Sequence, residues 1–149
     1  MVTAVITAYE IAASTPDPEL PMVTVADLGI LRAVDETAAG VVVTITPTYS
    51  GCPAMREISA DVRQRLERAG FAPVTVRTRL APAWSSDWIT GEGQRKLAAA
   101  GIAPPSPAPS CPRCGSPRTR RTAEFGATAC KSLHRCDHCG EPFEAVKPL

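Results

Sequence analysis

The sequence lacks the features that mark several common classes of protein. It carries no apolar run near the roughly 18 residues of a membrane-spanning helix, so we expect no membrane contact. The segment Met1–Glu10 has no basic region followed by a cleavage site, which argues against a secretory signal. A net charge of +1 argues against both a nucleic-acid-binding polyelectrolyte and an acidic tail. We therefore expect neither membrane nor nucleic acid among the partners.

Residues for oxygenase or nucleotide chemistry are also scarce. Only 2 histidines occur, His134 and His138, and neither belongs to a Glu-x-x-His pair of the kind that di-iron bundles use. The segment Gly91–Gly93 is too short for a Gly-rich nucleotide fingerprint, and it opens no strand-to-helix turn. These absences argue against a direct oxygenase catalyst, and they leave open whether the chain has an activity of its own.

The cysteines and prolines that are present divide the chain into two parts. Cys52 is the only cysteine in residues 1–103, and the other five lie in the last 46 residues. Between these parts, residues 102–110 contain four prolines, which disfavour helix and central strand and favour an extended polyproline conformation. The sequence predicts a first domain over 1–103, a semi-rigid linker over 104–110 and a second domain over 111–149.

The first domain is predicted to be of the α/β (α+β) class. An apolar helical face, two β-branched strands, a long amphipathic helix, a third strand and a short helix follow one another along the chain. They cover residues 2–13 (with Val2, Val5, Ile6 and Tyr9 on the apolar face), 30–36, 40–46, 53–69, 71–80 (with Val74, Val76, Thr78 and Leu80 on one side) and 90–101. This order predicts a two-layer fold of a three-stranded sheet and helices.

Cys52 is the chemical point of interest in this domain. It lies one residue before Pro53, the predicted first position of the long helix. Unsatisfied amides and the positive end of the helix dipole favour a thiolate there, the form that acts as nucleophile or metal ligand. A free cysteine is as often a small buried apolar residue, and the local pattern leaves both interpretations open.

The second domain contains two Cys-x-x-Cys-Gly knuckles, Cys111–Gly115 and Cys136–Gly140, with 21 residues between Cys114 and Cys136. Each knuckle supplies two thiolates, so Cys111, Cys114, Cys136 and Cys139 predict a tetrahedral sulfur site. Zinc fits such a site in a structural role, although four thiolates also bind mononuclear iron or an iron–sulfur cluster. Because apolar side chains are few, we expect the metal to supply folding energy.

Three further side chains of the tail lie outside this pattern. Cys130 is interpreted as an ordinary strand residue, with an additional functional thiol or an alternative ligand as the other hypotheses. His134 and His138 are interpreted as bystanders, since four cysteines already complete the site. The arginines of the tail are expected to be solvated surface charges.

Several motifs resemble known families. Asp17-Pro-Glu-Leu-Pro21, Val25-Ala-Asp-Leu-Gly-Ile-Leu31 and Thr48-Tyr-Ser-Gly-Cys-Pro-Ala54 resemble, in that order, the domain family of iron–sulfur cluster assembly factors. The segments 83–90, 101–105 and 125–143 are similar to those of the PaaD family, a family of phenylacetyl-CoA epoxidase subunits. The resemblance covers almost the whole chain and includes a zinc-ribbon-like tail.

This resemblance implies a bacterial, cytoplasmic accessory protein of aerobic phenylacetate breakdown. Its expected partners are the other epoxidase subunits, a di-iron oxygenase and an iron–sulfur reductase, whose metal centres it would help to mature or maintain. The resemblance implies that Asp17, Glu19 and Cys52 form a functional loop that handles transient iron or an iron–sulfur cluster. Because one cysteine cannot complete a cluster shell, a homodimer or a client would share it. Cys130 matches a cysteine of the same tail segment in the subfamily.

A structural role is the alternative hypothesis. The ribbon and the loop with Trp84 and Trp88 would then dock oxygenase and reductase components, with Cys52 merely packed and no metal transferred. For the two tryptophans themselves, we expect packing in the core around the last helix of the first domain rather than docking.

Overall fold

The computed structural model describes residues 6–49 and 51–149. Its internal contacts divide the chain into two units, Met1–Trp84 and Ser85–Leu149. Among the described residues, no helix combines the length and the apolar character that crossing a bilayer would require. Each unit has its own sheet and its own site, and the two are described in turn.

The first unit contains helix α1 (Ala8–Ala13), strands β1 (Leu31–Thr37) and β2 (Gly40–Ile45), helix α2 (Ala54–Arg68) and strand β3 (Val74–Thr78). The sheet has the order β1-β2-β3. Strands β1 and β2 form an antiparallel hairpin, and β2 and β3 are parallel, with α2 as the crossover between them. The predicted mixed α/β fold with a three-stranded sheet is confirmed.

The core of the first unit lies between the sheet and α2. Val43 and Ile45 of the central strand are fully buried. From α2, the side chains at a spacing of four residues (Ile58, Val62 and Leu66) are also buried, as the helical periodicity predicts. This packing holds the start of α2 in place, directly after Cys52.

Two apolar patterns of the first unit turn out differently from the prediction. In the predicted face of the first helix, Ile6 and Tyr9 are 62% and 55% exposed, while Val2 and Val5 lie outside the described residues. The helix begins at Ala8, after a capping box between Thr7 and Glu10, and its buried side chains are alanines. These small residues pack where α1 meets α2 and β1.

The third strand is shorter than predicted. It ends at Thr78, which is exposed, and Leu80 beyond it is 61% exposed. The alternation of inward and outward side chains therefore holds only from Val74 to Val76. Thr78 is exposed although it still pairs with Ile45 of β2, so at this end of the strand the period of two no longer decides which side chain is buried.

The second unit contains a short 3-10 helix (Ser86–Trp88), helix α3 (Gly91–Ala99) and strands β4 (Ile102–Ala103), β5 (Thr119–Ala123), β6 (Lys131–Cys136) and β7 (Pro142–Val146). Its sheet has the order β4-β7-β6-β5. Strands β5, β6 and β7 form an antiparallel meander, and β4 runs parallel to β7. Buried side chains of the sheet include Phe143 and Ala145.

The boundary between the units lies earlier than the predicted one at residue 103. Strand β4 pairs with β7, so that Ile102 faces Glu144 in the register. At the start of the unit, the N–H of Ser86 donates to the carbonyl of Leu149, 3.0 Å away, and the N–H of Leu149 donates to Ser86 Oγ. Residues 85–103 therefore fold with the ribbon, and Trp84, whose Nε1 donates to the carbonyl of Leu28, belongs to the first unit.

The proline-rich segment over 104–110 is part of the second unit rather than a linker between two units. Pro109 is buried, and its carbonyl accepts a hydrogen bond from the hydroxyl of Thr119 in β5. An extended proline segment has few backbone donors to satisfy, so it can lie along a sheet without forming a strand. The segment follows the ribbon and lines a pocket on it.

Candidate functional site

The four knuckle cysteines of the second unit come together at one end of the ribbon. The sulfur atoms of Cys111, Cys114, Cys136 and Cys139 all lie within 4.8 Å of one another. Across the two knuckles, the Sγ atoms of Cys111 and Cys139 are 3.8 Å apart, and those of Cys114 and Cys136 are 3.6 Å apart. The structure thus assembles the predicted four-cysteine set.

The first knuckle is a tight turn stabilised by its own backbone. The N–H of Gly115 donates to the carbonyl of Cys111 at 2.8 Å, and the N–H of Cys111 donates to the carbonyl of Ser116 at 2.9 Å. Gly115 has a φ of 77°, which a side chain would disfavour. The turn directs the N–H of Cys114 towards Cys111 Sγ, 3.5 Å away.

The second knuckle repeats this arrangement residue by residue. The N–H of Gly140 donates to the carbonyl of Cys136, and the N–H of Cys136 donates to the carbonyl of Glu141, both at 2.9 Å. Gly140 has a φ of 79°, and the N–H of Cys139 points at Cys136 Sγ from 3.4 Å. Two equivalent turns therefore present four sulfurs with backbone donors behind them.

This geometry fits a single tetrahedral ion. With metal–sulfur bonds of about 2.3 Å, the edges of a regular tetrahedron of sulfurs are about 3.8 Å long, close to the separations between the two knuckles. An iron–sulfur cluster distributes its four thiolates over two or more irons, which spreads the sulfurs further apart. Because all four ligands come from the chain, such an ion would have no open position and would serve a structural role.

The electrostatics of the four thiols also indicate a cation. Backbone N–H groups, first that of Cys139 and then that of His138, lower the pKa of Cys136 to about 6. At Cys139 the N–H of Glu141 lowers the pKa of the thiol. Burial and the neighbouring thiols outweigh this effect and together raise the pKa of Cys139 to about 12. Four thiolates repel one another at this spacing, so a divalent cation is needed to ionise the whole set.

Two of the four clustered cysteines belong to the core of the ribbon. Cys111 and Cys136 are buried in one cluster with Ala103, Phe143 and Ala145. Cys114 and Cys139 are exposed at its outer side. Metal binding and packing in this unit are therefore parts of the same arrangement.

The other candidate side chains of the tail lie outside the metal cluster. Cys130 is buried just before β6, with its Sγ 3.1 Å from the hydroxyl of Thr128. His134 is buried, its Nε2 lies 2.8 Å from Ser132 Oγ, and its ring stacks on Phe143. Burial, and secondarily the charge of Arg121, lowers the pKa of His134.

The thiol of Cys52 occupies the turn before α2 in the first unit. It is half-buried and hydrogen-bonded to the N–H of Ala54 and to the hydroxyls of Tyr49 and Thr48, three contacts that favour the thiolate. Burial is the larger effect, and with the charge of Glu19 it raises the pKa of Cys52 above its ordinary value. The expected stabilisation of a thiolate at this helix start is present, but it is outweighed.

The loop over 16–21 brings Glu19 into the neighbourhood of Cys52. Asp17 is buried, and its Oδ1 accepts hydrogen bonds from the N–H groups of Glu19 and Leu20, both at 2.8 Å. This is an Asx turn, in which the side chain organises the backbone that follows it. Of the three predicted loop residues, Glu19 therefore acts on the thiol, and Asp17 shapes the loop that carries Glu19.

Sequence reasoning gave no role to the two hydroxyl side chains beside the thiol. Thr48 and Tyr49 stand within the motif that carries Cys52, and they also line a small pocket of about 120 Å³ with Leu80 and Trp84. The signal that could have found them is their position three and four residues before a cysteine at a helix start, where the chain turns back.

Comparison with known proteins supports both halves of this description. The family described as iron-sulfur cluster assembly protein matches residues 13–76, and the PaaD zinc beta ribbon domain matches residues 100–147. Over 148 residues the chain is 43% identical to the Escherichia coli (strain K12) protein named as the "putative" D subunit of 1,2-phenylacetyl-CoA epoxidase, covering 93% of this chain and 90% of that one. The chain belongs to the PaaD family.

Two other relatives match part of this PaaD-family chain. A Porphyromonas gingivalis (strain ATCC BAA-308 / W83) protein named "Fe-S protein maturation auxiliary factor" is 40% identical over 83 residues, 54% of this chain and 78% of that protein. The crystal structure of a domain of unknown function, DUF59, from Bacillus anthracis is 27% identical with a TM-score of 0.56, covering 60% and 87% of the two chains.

The matched ranges include the two sites. The assembly-family range contains Asp17, Glu19 and Cys52, and the ribbon range contains all four knuckle cysteines. The ribbon range begins at residue 100, before β4, which agrees with the pairing of β4 in the ribbon sheet. These relationships support an accessory role for the PaaD-family chain, and the ribbon with its cysteine cluster indicates metal binding.

Proposed function

We propose that this protein is an accessory component of a phenylacetyl-CoA epoxidase that assists the assembly or maintenance of the iron–sulfur and other metal centres of the oxygenase–reductase system. The observation that carries the proposal is the thiol of Cys52 beside Glu19 in a domain matched by the iron–sulfur assembly family. The covalently linked ribbon, matched by the PaaD ribbon family, supports the choice of client.

Cys52 would hold iron or an iron–sulfur cluster as cargo, not as a resident cofactor. Its thiol must lose a proton to solvent before the sulfur can bind iron. Because burial and Glu19 raise the pKa of Cys52, this step is unfavourable, and the bound state is correspondingly easy to reverse. The N–H of Ala54 and the two neighbouring hydroxyls favour the thiolate while the cargo is bound. This balance suits transfer better than storage.

One cysteine leaves the coordination of the cargo incomplete. The remaining ligands would come from the client protein or from a second copy of this chain in a homodimer. The half-buried position of Cys52 in a turn leaves part of the residue accessible to a second protein. Transfer would then be an exchange of ligands at the interface.

The four-cysteine site has a different proposed role. We assign it zinc, because four thiolates at tetrahedral separations satisfy zinc without an open position. Its function would be to fold the ribbon, which then presents its surface to the other epoxidase components. The cargo thiol and the structural ion belong to separate units.

The test is co-expression of the chain with the oxygenase and reductase components. We expect Cys52→Ser to lower the iron and acid-labile sulfide of the purified complex and its epoxidase activity, while zinc stays at one ion per chain. Cys130→Ser is the matched control, since Cys130 is also a cysteine outside the four-cysteine cluster. Unchanged cluster content and activity in Cys52→Ser would overturn the proposal.

A docking role without metal transfer is the second candidate. It is favoured by the raised pKa of Cys52, which keeps the thiol neutral, and by the exposed apolar side chains Tyr9 and Leu80 in the first unit. In that case Cys52→Ser would still form a stoichiometric complex in a pull-down, with full cluster content and activity. Substitution of Tyr9 or Leu80 by Ser would instead weaken the complex.

A further inference from the structure

The second unit contains a polar pocket that neither site described so far uses. It has a volume of about 280 Å³ and lies between the proline-rich segment and one face of the ribbon sheet. The sheet contributes polar side chains from β5 and β6, namely Thr119, Arg121, Ser132 and His134. No acidic side chain lines the pocket.

The walls of the pocket are held by internal hydrogen bonds. Ser132 and His134 are only 5% and 8% exposed, and their side chains bond to each other at 2.8 Å. The hydroxyl of Thr119 donates to the carbonyl of Pro109, which attaches the proline-rich wall to the sheet. Polar groups are therefore kept in defined positions before any ligand enters.

The positive charge of the pocket is uncompensated. Two other arginines of the ribbon form ion pairs, Arg113 with Glu141 and Arg120 with Asp137, at 3.2 and 3.0 Å. Arg121 faces His134 across the β5–β6 pair, and within the described part of the chain no carboxylate forms an ion pair with it. Lys147 lines the same pocket, with its ammonium group over the ring of Phe125.

We propose that this pocket binds a phosphate group, anchored by the guanidinium of Arg121 and assisted by the hydroxyl of Ser132. A planar guanidinium forms paired, charge-assisted hydrogen bonds with phosphate oxygens. The absence of acidic lining residues removes the repulsion that would reject an anion. The pocket is slightly smaller than typical sites for drug-sized ligands, so it suits a free phosphate or the phosphate end of a larger molecule.

The experiment is calorimetric titration of the full-length protein with inorganic phosphate at low ionic strength. We expect saturable binding of one phosphate per chain. Arg121→Gln should weaken the affinity about tenfold or more, the effect of losing a charge-assisted hydrogen bond. Arg135→Gln is the matched control. Arg135 lies on the neighbouring strand outside the pocket, and its substitution removes the same charge as Arg121→Gln. Its affinity should stay within about twofold of the unsubstituted protein, as expected for a screened, distant charge.

Chemical shifts of the unsubstituted protein provide a readout that no folding defect can obscure. Phosphate should shift the amide signals around Ser132 and His134. A second titration with ribose 5-phosphate distinguishes the sources. Comparable affinity supports a site open to the phosphate of a larger ligand, and binding of inorganic phosphate alone supports a free-ion site.

Three outcomes would overturn the inference. The first is the absence of saturable phosphate binding. The second is an equal loss of affinity in Arg121→Gln and Arg135→Gln, which would assign binding to general surface charge. The third is tighter binding of acetate than of phosphate, which would mean that the pocket selects carboxylates.

Discussion

Substitution of one buried metal ligand should unfold the ribbon and leave the first unit folded. Cys136→Ser removes a thiol that is both a proposed metal ligand and a fully buried member of the ribbon core. The first unit builds its core from its own sheet and α2, so nothing in that core depends on the ion.

The magnitude follows from what surrounds the ligands. In the core cluster, two of the five residues are cysteines, two are alanines, and Phe143 is the one large apolar side chain. Burial of a phenylalanine contributes about 1.5–3 kcal/mol, whereas a structural zinc ion in a small domain contributes about 10–16 kcal/mol at neutral pH. Loss of the ion therefore exceeds what the remaining cluster can offset.

Metal analysis and amide spectra measure this outcome. The unsubstituted protein should hold one ion per chain under a chelator challenge that strips Cys136→Ser. Dispersed amide signals of β5, β6 and β7 should collapse in Cys136→Ser, while those of β2 and α2 stay in place. Cys130→Ser, which changes a buried cysteine outside the cluster, should keep both the ion and the dispersed signals.

The reasoning would be refuted if Cys136→Ser kept its ion and a folded ribbon. It would equally be refuted if Cys130→Ser lost the ion to the same extent. The first result would mean that three thiolates suffice, and the second that Cys130 belongs to the metal shell.

Three further predictions concern other contacts. Glu19→Gln removes a charge that raises the pKa of Cys52, so iodoacetamide should alkylate Cys52 faster at pH 8 than in the unsubstituted protein. In the variant and in the unsubstituted protein, the alkylation rate should rise with pH as the thiolate forms. An unchanged rate in the variant would contradict the influence of Glu19. Gly40→Ala should cost about 2 kcal/mol or more in urea denaturation, because Gly40 has a φ of 129° and an added Cβ would clash with the carbonyl of Pro73 in the loop before β3. Full stability would argue against that clash. Glu144→Gln leaves the buried ammonium of Lys131 without the carboxylate that lies 3.4 Å from it. It should lower the free energy of unfolding, measured by thermal unfolding, by about 3 kcal/mol, more than Lys131→Met does. The reverse order would exclude the ion pair as the cause.

The metal site and the central βαβ unit were within reach of sequence reasoning because their determinants are local. A Cys-x-x-Cys-Gly segment specifies its own turn, and two such turns specify four sulfurs. The β-branched run of β2 and the four-residue spacing of Ile58, Val62 and Leu66 each describe one element completely. In these cases the residues that form the sequence pattern are the same neighbouring residues that form the structural element.

The remaining features depend on contacts between distant residues. Strand β4 has two residues and exists only because β7 is beside it, so no local pattern could place the boundary before it. The pKa of Cys52 depends on Glu19, which a different loop brings near. The buried face of α1 consists of alanines, which apolar periodicity does not distinguish from the exposed Ile6 and Tyr9.

Two hydrogen bonds, from the N–H of Ser86 to the carbonyl of Leu149 and from the N–H of Leu149 to Ser86 Oγ, join the two ends of the second unit. Its first and last described residues are neighbours, which is the arrangement that lets a domain be inserted into another chain or permuted. A ribbon excised at residue 85 should therefore behave as a portable cassette, whereas one cut at residue 104 would lose a strand and an α-helix. The unit that should transfer as a whole is therefore larger than its metal-binding motif.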